Sequence, residues 1–273
     1  MQEPRIAPSP LIFVHIPKTG GRTLEDILRR VYLPTGAKHF EFEGGRECHD
    51  RFIRIPLHLR DEFDLLDGHC HYGLHRRLSR PATYLTVLRE PVDRVLSLYY
   101  YIHQCGGLHY MYEQVVKGGV TLHEYVEMLL SVEVDNGQVR ALNPEMLWDV
   151  PNGQVRRPML EDAKRNLEHG FASFGLTERF DESLILFQRA LGWRDMDLRY
   201  RRQNVTASRP KPAEVERRTL DLIREINQYD IELYEFAVDL FAERVRLQGP
   251  RFSDEVTRFC EANSRFTAAS VAV

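Results

Sequence analysis

The sequence predicts an α/β fold: a central parallel sheet covered by helices, with a helical C-terminal part. Two stretches carry the prediction, because Leu11 to Val31 and Thr83 to about His103 each read as a short apolar strand, a tight turn and an amphipathic helix. Repetition of that unit favours parallel pairing, since a parallel strand needs a crossover and a helix is the usual one. A third observation is the helical periodicity of Glu214 to Asn227 and of Ile231 to Arg246.

In the first unit, Leu11 to His15 is an apolar run closed by Pro17 and the Gly20-Gly21 pair, as suits a buried strand. Leu24, Ile27, Leu28 and Val31 follow at i, i+3, i+4 and i+7, one stripe on a helix that begins near Gly21. In the second unit, Tyr84-Leu85-Thr86-Val87-Leu88 is β-rich and Pro91 suits a first helical turn, where its missing N–H leaves no bond unmade. Val92, Val95, Leu96 and Tyr99 then repeat the stripe. Further elements are expected as a strand at Phe63 to Leu66, a helix at Leu122 to Leu130, a strand at Phe171 to Leu176 and a helix at Glu182 to Leu191. The segment after Gly249 is polar and rich in small residues, and is expected to fray.

No linker, internal repeat or low-complexity block divides the 273 residues, so one domain over 1–273 is expected, with an ordered core of about 11–247 and a frayed tail over 248–273. A formal net charge of -3 argues against general nucleic-acid binding, which needs a basic field to displace counterions from phosphates. The start MQEPRIAPSP lacks the basic and apolar stretches of a signal peptide, and no apolar run is long enough to span a bilayer, so a cytoplasmic protein is expected. Cys48, Cys70, Cys105 and Cys260 lie far apart with no CxxC pair and are read as reduced thiols. The apolar stripes can all be used in a single core, so they do not indicate an oligomeric state.

Chemistry enters at His15-Ile16-Pro17-Lys18-Thr19-Gly20-Gly21-Arg22-Thr23, where the first strand turns into its helix. Glycines let the backbone approach an oxyanion, the N–H groups of the first helical turn point at it, and the helix dipole favours negative charge. Lys18 adds a full charge, and Thr19 and Thr23 add hydroxyls. Taken alone, the stretch is equally an ordinary strand-to-helix turn with an incidental lysine. It is not the GxxxxGK[ST] loop of nucleoside triphosphatases, because the lysine precedes the glycines.

The second cluster, Leu88-Arg89-Glu90-Pro91-Val92-Asp93-Arg94-Val95-Leu96-Ser97, sits at the C-terminal end of the later strand, where parallel sheets place ligands. Arg89 and Ser97 could hold a second phosphate there by a charge-assisted fork and a hydroxyl. By itself Arg89 would more often be a surface arginine pairing with Glu90 or Asp93.

Together the two clusters resemble the paired nucleotide-binding signatures of the sulfotransferases that use 3'-phosphoadenosine-5'-phosphosulfate (PAPS). The likeness is to the branch of glycosaminoglycan 2-O-sulfotransferases and their soluble bacterial relatives. It extends through Asp67-Gly68-His69, Asn136-Gly137-Gln138-Val139-Arg140, Gly175-Leu176-Thr177-Glu178-Arg179-Phe180 and Asn204-Val205-Thr206, so that it covers about Leu11 to Arg246. The resemblance implies a P-loop-like three-layer α/β/α fold. It implies that Lys18, Thr19, Gly20, Gly21 and Thr23 hold the 5'-phosphosulfate and that Arg89 and Ser97 hold the 3'-phosphate. PAPS is the implied co-substrate, no metal is required, and the acceptor is a hydroxyl on a glycan or small molecule. Arg22 stands where many relatives carry a small hydroxyl residue; it is counted with the donor-binding loop, supplying charge in place of a hydroxyl or turning to solvent.

His69 is the candidate base: it follows a strand, its ordinary pKa suits proton transfer near neutrality, and in the resembling branch the Gly-His position carries that role. His71 and His75, spaced i, i+4, raise a metal site as an alternative, but Gly73 between them weakens a shared helix. The expected reaction is in-line displacement at sulfur, with His69 taking the acceptor proton and Lys18 stabilising the leaving oxygen. Asn136, Gln138 and Arg140 are the candidate acceptor residues, and Tyr99, Tyr100 and Tyr101 could stack on a sugar ring, although tyrosines on a helix are more often packing residues. Gln104 to Gly119, framed by glycine pairs, reads as a loop over the acceptor, and Arg201, Arg202, Arg209 and Lys211 equally as a basic segment able to close over the donor or as a solvated run of charge. Two rival functions remain at this point: an ATP-dependent phosphotransferase, disfavoured by the missing phosphate loop and magnesium carboxylates, and a non-catalytic nucleotide- or glycan-binding module.

Overall fold

The computed structural model of the chain describes residues 9–144, 149–193, 196–201 and 210–269. Five strands form one sheet: β1 (Leu11–Val14), β2 (His39–Phe42), β3 (Leu65–Gly68), β4 (Thr83–Leu88) and β5 (Ser173–Leu176), in the order β2-β3-β1-β4-β5. All four pairings are parallel. Among the described residues the helices are α1 (Gly21–Tyr32), α2 (Gly45–Arg54), α3 (Leu57–Arg60), α4 (Pro91–Gln104), α5 (Leu122–Glu127), α6 (Gly137–Ala141), α7 (Arg157–His169), α8 (Phe180–Leu191), α9 (Arg217–Ile226), α10 (Gln228–Arg246) and α11 (Arg251–Ala269).

Alternation along the strands divides the core into layers. Leu11 and Phe13 of β1 with Leu85 and Val87 of β4 face the apolar stripe of α1, namely Leu24, Ile27, Leu28 and Val31, and Leu184 and Phe187 of α8. Ile12, Val14, Tyr84 and Leu88 face the other way, onto Leu160 and Leu167 of α7 and Leu233 and Phe241 of α10. This is the expected three-layer α/β/α arrangement. Each of these leucines and phenylalanines is buried and contributes roughly 1.5–3 kcal/mol by leaving water. A third apolar cluster joins Val95, Leu96 and Ile102 of α4 to Tyr125 of α5 and Ile223 of α9.

The C-terminal segment corrects an expectation. Instead of fraying after Gly249, the chain forms α11, whose Phe252 is buried and whose Val256 and Phe259 pack on the core. These residues recur at i, i+4 and i+7, a helical stripe that the polar composition around it obscured.

Strand order places the site. From β1 the chain leaves through α1 toward β2, whereas from β4 it leaves through α4 toward β5, so neighbouring strands send their connections in opposite directions. A crevice opens at the carboxyl ends of such a pair. The register pairs Val14 with both Gly68 and Thr86, which brings His15 level with His69, while β4 runs on to Leu88, opposite Leu176. No described helix is long and apolar enough to cross a membrane.

Candidate functional site

The loop after β1 is folded by two left-handed residues, Lys18 (φ 70°) and Gly20 (φ 84°). A non-glycine residue in that region carries a strain of about 1 kcal/mol or more, tolerated where surrounding structure over-determines it. Here the surroundings do: the Lys18 carbonyl accepts from Arg89 Nη1 at 2.8 Å, and the Lys18 ammonium lies 3.7 Å from the centre of the Tyr101 ring. Gly20 is the N-cap of α1, no side chain caps that helix, and its first turn holds no acid. The N–H groups of Gly21 and Arg22, the first two helical residues, therefore have no acceptor within the helix. Together with the dipole they suit this end of α1 to an anion.

Gly21 has a separate reason to be glycine. A Cβ there would lie 1.9 Å from Cδ2 of His15, whose ring packs close against the start of α1. His15 Nδ1 is 2.6 Å from Oε1 of Glu25, whose other oxygen accepts from Arg22 Nη1 at 3.1 Å. Burial would raise the Glu25 carboxyl, but the His15 hydrogen bond and charge, with Arg22, outweigh it and bring it down to about 2.

Thr19 departs from expectation. It is buried, and its hydroxyl donates to the Ile16 carbonyl at 2.9 Å within the loop, so the group it can offer an anion is its backbone N–H. Arg22 turns away from the loop mouth toward Glu25 and Glu41, 3.1 and 3.4 Å away, with its side chain 55% exposed. Thr23 is buried in the first turn of α1.

Arg89 follows β4 directly. Its Nε donates to Asp93 Oδ2 at 2.9 Å, Nη2 pairs with the same oxygen, and Nη1 reaches Lys18. The pairing with Asp93 is thus real, and it orients the guanidinium rather than exhausting its five N–H donors. Ser97 is buried on α4 two turns further along. The N-terminus of α4 differs from that of α1, since the Glu90 carboxylate accepts from Val92 N (3.1 Å) and Asp93 N (2.6 Å).

The two expected clusters therefore share one end of the sheet and touch. His69 joins them at the end of β3: its ring stacks on His15 with centroids 4.6 Å apart, and its Nδ1 lies 3.1 Å from the His15 carbonyl. A ring nitrogen facing a carbonyl must donate, which leaves Nε2 with the lone pair. Burial and the neighbouring His15 hold the His69 pKa down, to about 4, so the ring is neutral at neutral pH. His71 and His75 go elsewhere, His71 Nδ1 to the Tyr72 carbonyl and His75 Nδ1 to the Tyr84 hydroxyl.

Asn136, Gln138 and Arg140 are corrected from acceptor contacts to buried architecture, being 3%, 0% and 1% exposed. Asn136 Oδ1 accepts from Tyr229 N and Asp230 N, tying α6 to α10. Arg140 pairs with Asp135 and donates to the Val150 and Pro151 carbonyls. Gln138 brackets Arg89, its Oε1 accepting from Arg89 N and its Nε2 donating to Arg89 O, each at 2.9 Å. Polar side chains with every group directed inward have nothing left for a ligand.

Arg94 was missed by sequence reasoning. It is fully buried, donates to the Glu133 carbonyl at 2.6 Å and lies 3.5 Å from Asp230, which in turn accepts the N–H groups of Gln138 and Val139. The available signal was its setting, a charged residue among apolar neighbours on both faces of α4. Of the tyrosine trio, Tyr99 is buried with its hydroxyl on the Val120 carbonyl, and Tyr101 is the ring that meets Lys18. Arg202, Arg209 and Asn204-Val205-Thr206 lie outside the described residues; Arg201 is 5.6 Å from the Phe266 ring, and Lys211 N donates to Glu214.

Heparan-sulfate 6-O-sulfotransferase 1 of Cricetulus griseus is 32% identical over 282 residues, covering 86% of this chain and 67% of that protein. The human heparan-sulfate 6-O-sulfotransferase 1 is 32% identical over 193 residues, 62% of this chain and 45% of that protein. Heparan-sulfate 6-O-sulfotransferase 2 of Gallus gallus is 25% identical over 297 residues, 91% of this chain and 70% of that protein. The chain thus spans about half to two thirds of the length of such relatives. Mouse sulfotransferase SULT7A1 complexed with PAP aligns over 92% of this chain and 89% of its own at 12% identity, with a TM-score of 0.38, too loose a superposition to bear on the site. The galactose-3-O-sulfotransferase family model matches residues 2–272. Matched over nearly its whole length, the chain belongs to the galactose-3-O-sulfotransferase family.

Proposed function

We propose that this chain transfers a sulfuryl group from PAPS to a hydroxyl of a carbohydrate. The observation that carries the reading is the 2.8 Å hydrogen bond from Arg89 to the Lys18 carbonyl, because it brings a second cationic group to the open N-terminus of α1. A nucleotide with anionic groups at both its 5' and 3' positions fits two such neighbouring sites; a simple triphosphate does not require the second. The names of relatives and family supply the carbohydrate, and they name different sugar positions, 6-O and 3-O, so membership does not fix regiochemistry.

In the proposed reaction the acceptor oxygen attacks sulfur in line with the leaving group. Its proton passes to Nε2 of His69 as the new O–S bond forms. The bond between sulfur and the phosphate oxygen breaks, and the charge left on that oxygen is met by Lys18 and by the N–H groups at the start of α1. Donors placed in advance are usually the largest catalytic contribution. Tyr101, whose ring lies beside Lys18, is an aromatic group at this end of the sheet that suits the apolar side of a sugar ring.

The test has two parts. Adenosine 3',5'-bisphosphate should raise the melting temperature of the protein more than ADP does, since a ligand that binds the folded state stabilises it according to its affinity. Labelled sulfuryl should then pass from PAPS to an unsulfated heparan-type oligosaccharide, and His69→Asn should abolish the transfer. A larger shift with ADP would overturn the donor, and full activity of His69→Asn would overturn the base.

A further inference from the structure

Every backbone polar group that flanks Arg89 is tied down, and Thr177 contributes the tie that reaches furthest. Thr177 follows β5 directly, and its hydroxyl lies 2.8 Å from the Thr19 carbonyl and 3.0 Å from the Leu88 carbonyl. One side chain just past β5 thus bridges the loop after β1 and the end of β4, its single hydroxyl proton shared between the two carbonyls. Its neighbour Glu178 accepts the N–H of Glu90 at 3.0 Å and the hydroxyl of Tyr234 at 2.7 Å. Gln138 holds both the N–H and the carbonyl of Arg89. Leu88 O, Arg89 N, Arg89 O and Glu90 N are thereby all satisfied by side chains from elsewhere in the fold, an expensive arrangement for a segment that is merely a turn.

The loops are also joined by Arg89 itself, through Nη1 on the Lys18 carbonyl. That guanidinium is the group assigned to a phosphate, so its geometry must change or be shared when ligand arrives. The Thr177 hydroxyl faces only carbonyls, and its tie can persist with ligand bound. A shared neutral hydrogen bond of this kind is small for stability but decisive for a ligand that must engage two loops at once.

We propose that Thr177 is a positioning residue that fixes the spacing of the two anion-binding loops and so confers preference for nucleotides phosphorylated at both the 5' and 3' positions. The proposal rests on the donor reading given above. A single phosphate can be met by one loop wherever the other lies, whereas two phosphates on one rigid nucleoside require both loops at a set separation. Loss of the tie should therefore cost the doubly phosphorylated ligand and spare the singly phosphorylated one.

Calorimetric titration of the full chain with adenosine 3',5'-bisphosphate and with AMP tests this without any acceptor. Thr177→Val, equal in size and lacking the hydroxyl, should weaken the bisphosphate by roughly fivefold to tenfold and leave AMP within about twofold, and Thr177→Ser should restore the difference. Equal weakening of both ligands would make Thr177 an ordinary structural residue and overturn the proposal, as would no change in either. Should Thr177→Val fail to fold, Thr177→Ala is read by the same two ligands. If the unaltered protein binds AMP as tightly as the bisphosphate, the donor reading itself fails and takes the proposal with it, a result distinct from equal losses in the variant.

Discussion

The two strand–loop–helix units look alike in sequence, yet their helices begin in opposite ways. α1 starts from a left-handed glycine with no capping side chain and no acid in its first turn. α4 starts from Glu90, whose carboxylate accepts two N–H groups, with Pro91 in the first position and Asp93 just inside. Acidic groups at a helix N-terminus satisfy its free N–H groups and neutralise its dipole. One end is therefore left open to an outside anion and the other is closed by the protein itself. In the proposed function an anion at the first unit would meet backbone amides and Lys18, and one at the second would meet a side chain, Arg89, which Asp93 holds in place. The open end is the better place for charge that develops during reaction, the closed one for charge that stays constant.

The strongest way to break this division is Lys18→Ala. If the first unit stabilises developing charge, turnover should fall by roughly two to three orders of magnitude, the cost of removing a preorganised donor, with adenosine 3',5'-bisphosphate still bound. Steady-state kinetics and calorimetry check this together, and near-normal turnover would remove the distinction. Arg89→Ala should act the other way, raising the apparent Michaelis constant for PAPS by roughly tenfold to a hundredfold while turnover changes less, since loss of a hydrogen bond to a charged group costs about 1.5–3 kcal/mol. An analogue lacking the 3'-phosphate should show no such loss, and an equal loss with it would place that phosphate elsewhere.

Smaller, and aimed at the closed end, is Glu90→Ala. Removing the cap of α4 should cost about 1 kcal/mol of stability, as for other N-caps, seen as a lower midpoint in urea unfolding. Affinity for adenosine 3',5'-bisphosphate should be kept or slightly improved, because a carboxylate next to Arg89 is removed. A tenfold loss of affinity would mean that the cap serves the ligand site and that α4 is not simply sealed.

Much of this was legible because it depends on local pattern. The stripe Leu24, Ile27, Leu28, Val31 is buried, as its spacing requires, and the glycines and Pro91 mark the helix starts that the structure shows. The rest depends on partners distant in sequence. β2 is a four-residue edge strand whose His39 and Glu41 interrupt any apolar run, and α7 buries only Leu160, Ala163 and Leu167. Gln138 resembled a ligand residue because its type is polar; what decides its role is Arg89, 49 positions away. Thr177 is 158 positions from Thr19, and nothing near it in the chain announces the contact. Periodicity reports which face of an element is buried, whereas a polar residue's purpose is set by what the fold brings to it.

The finest test of the open end is Arg22→Thr, which places a small hydroxyl residue beside Thr23. A hydroxyl at the first turn of α1 would add a donor if the anion lay within its reach, and loss of the guanidinium would remove a charge if that charge faced the anion. The structure directs Arg22 to Glu25 and Glu41 with its own side chain more than half exposed; the outer pair with Glu41 is worth about 0–1 kcal/mol, and Glu25, although buried, has a second partner. That partner is His15, 2.6 Å from the other Glu25 oxygen, a contact that does not involve Arg22. Affinity for adenosine 3',5'-bisphosphate should thus stay within about threefold of the unaltered protein and stability within about 1 kcal/mol. A tenfold fall in affinity would show that the guanidinium swings to the ligand, and the cationic complement of the open end would then be two residues, not Lys18 alone.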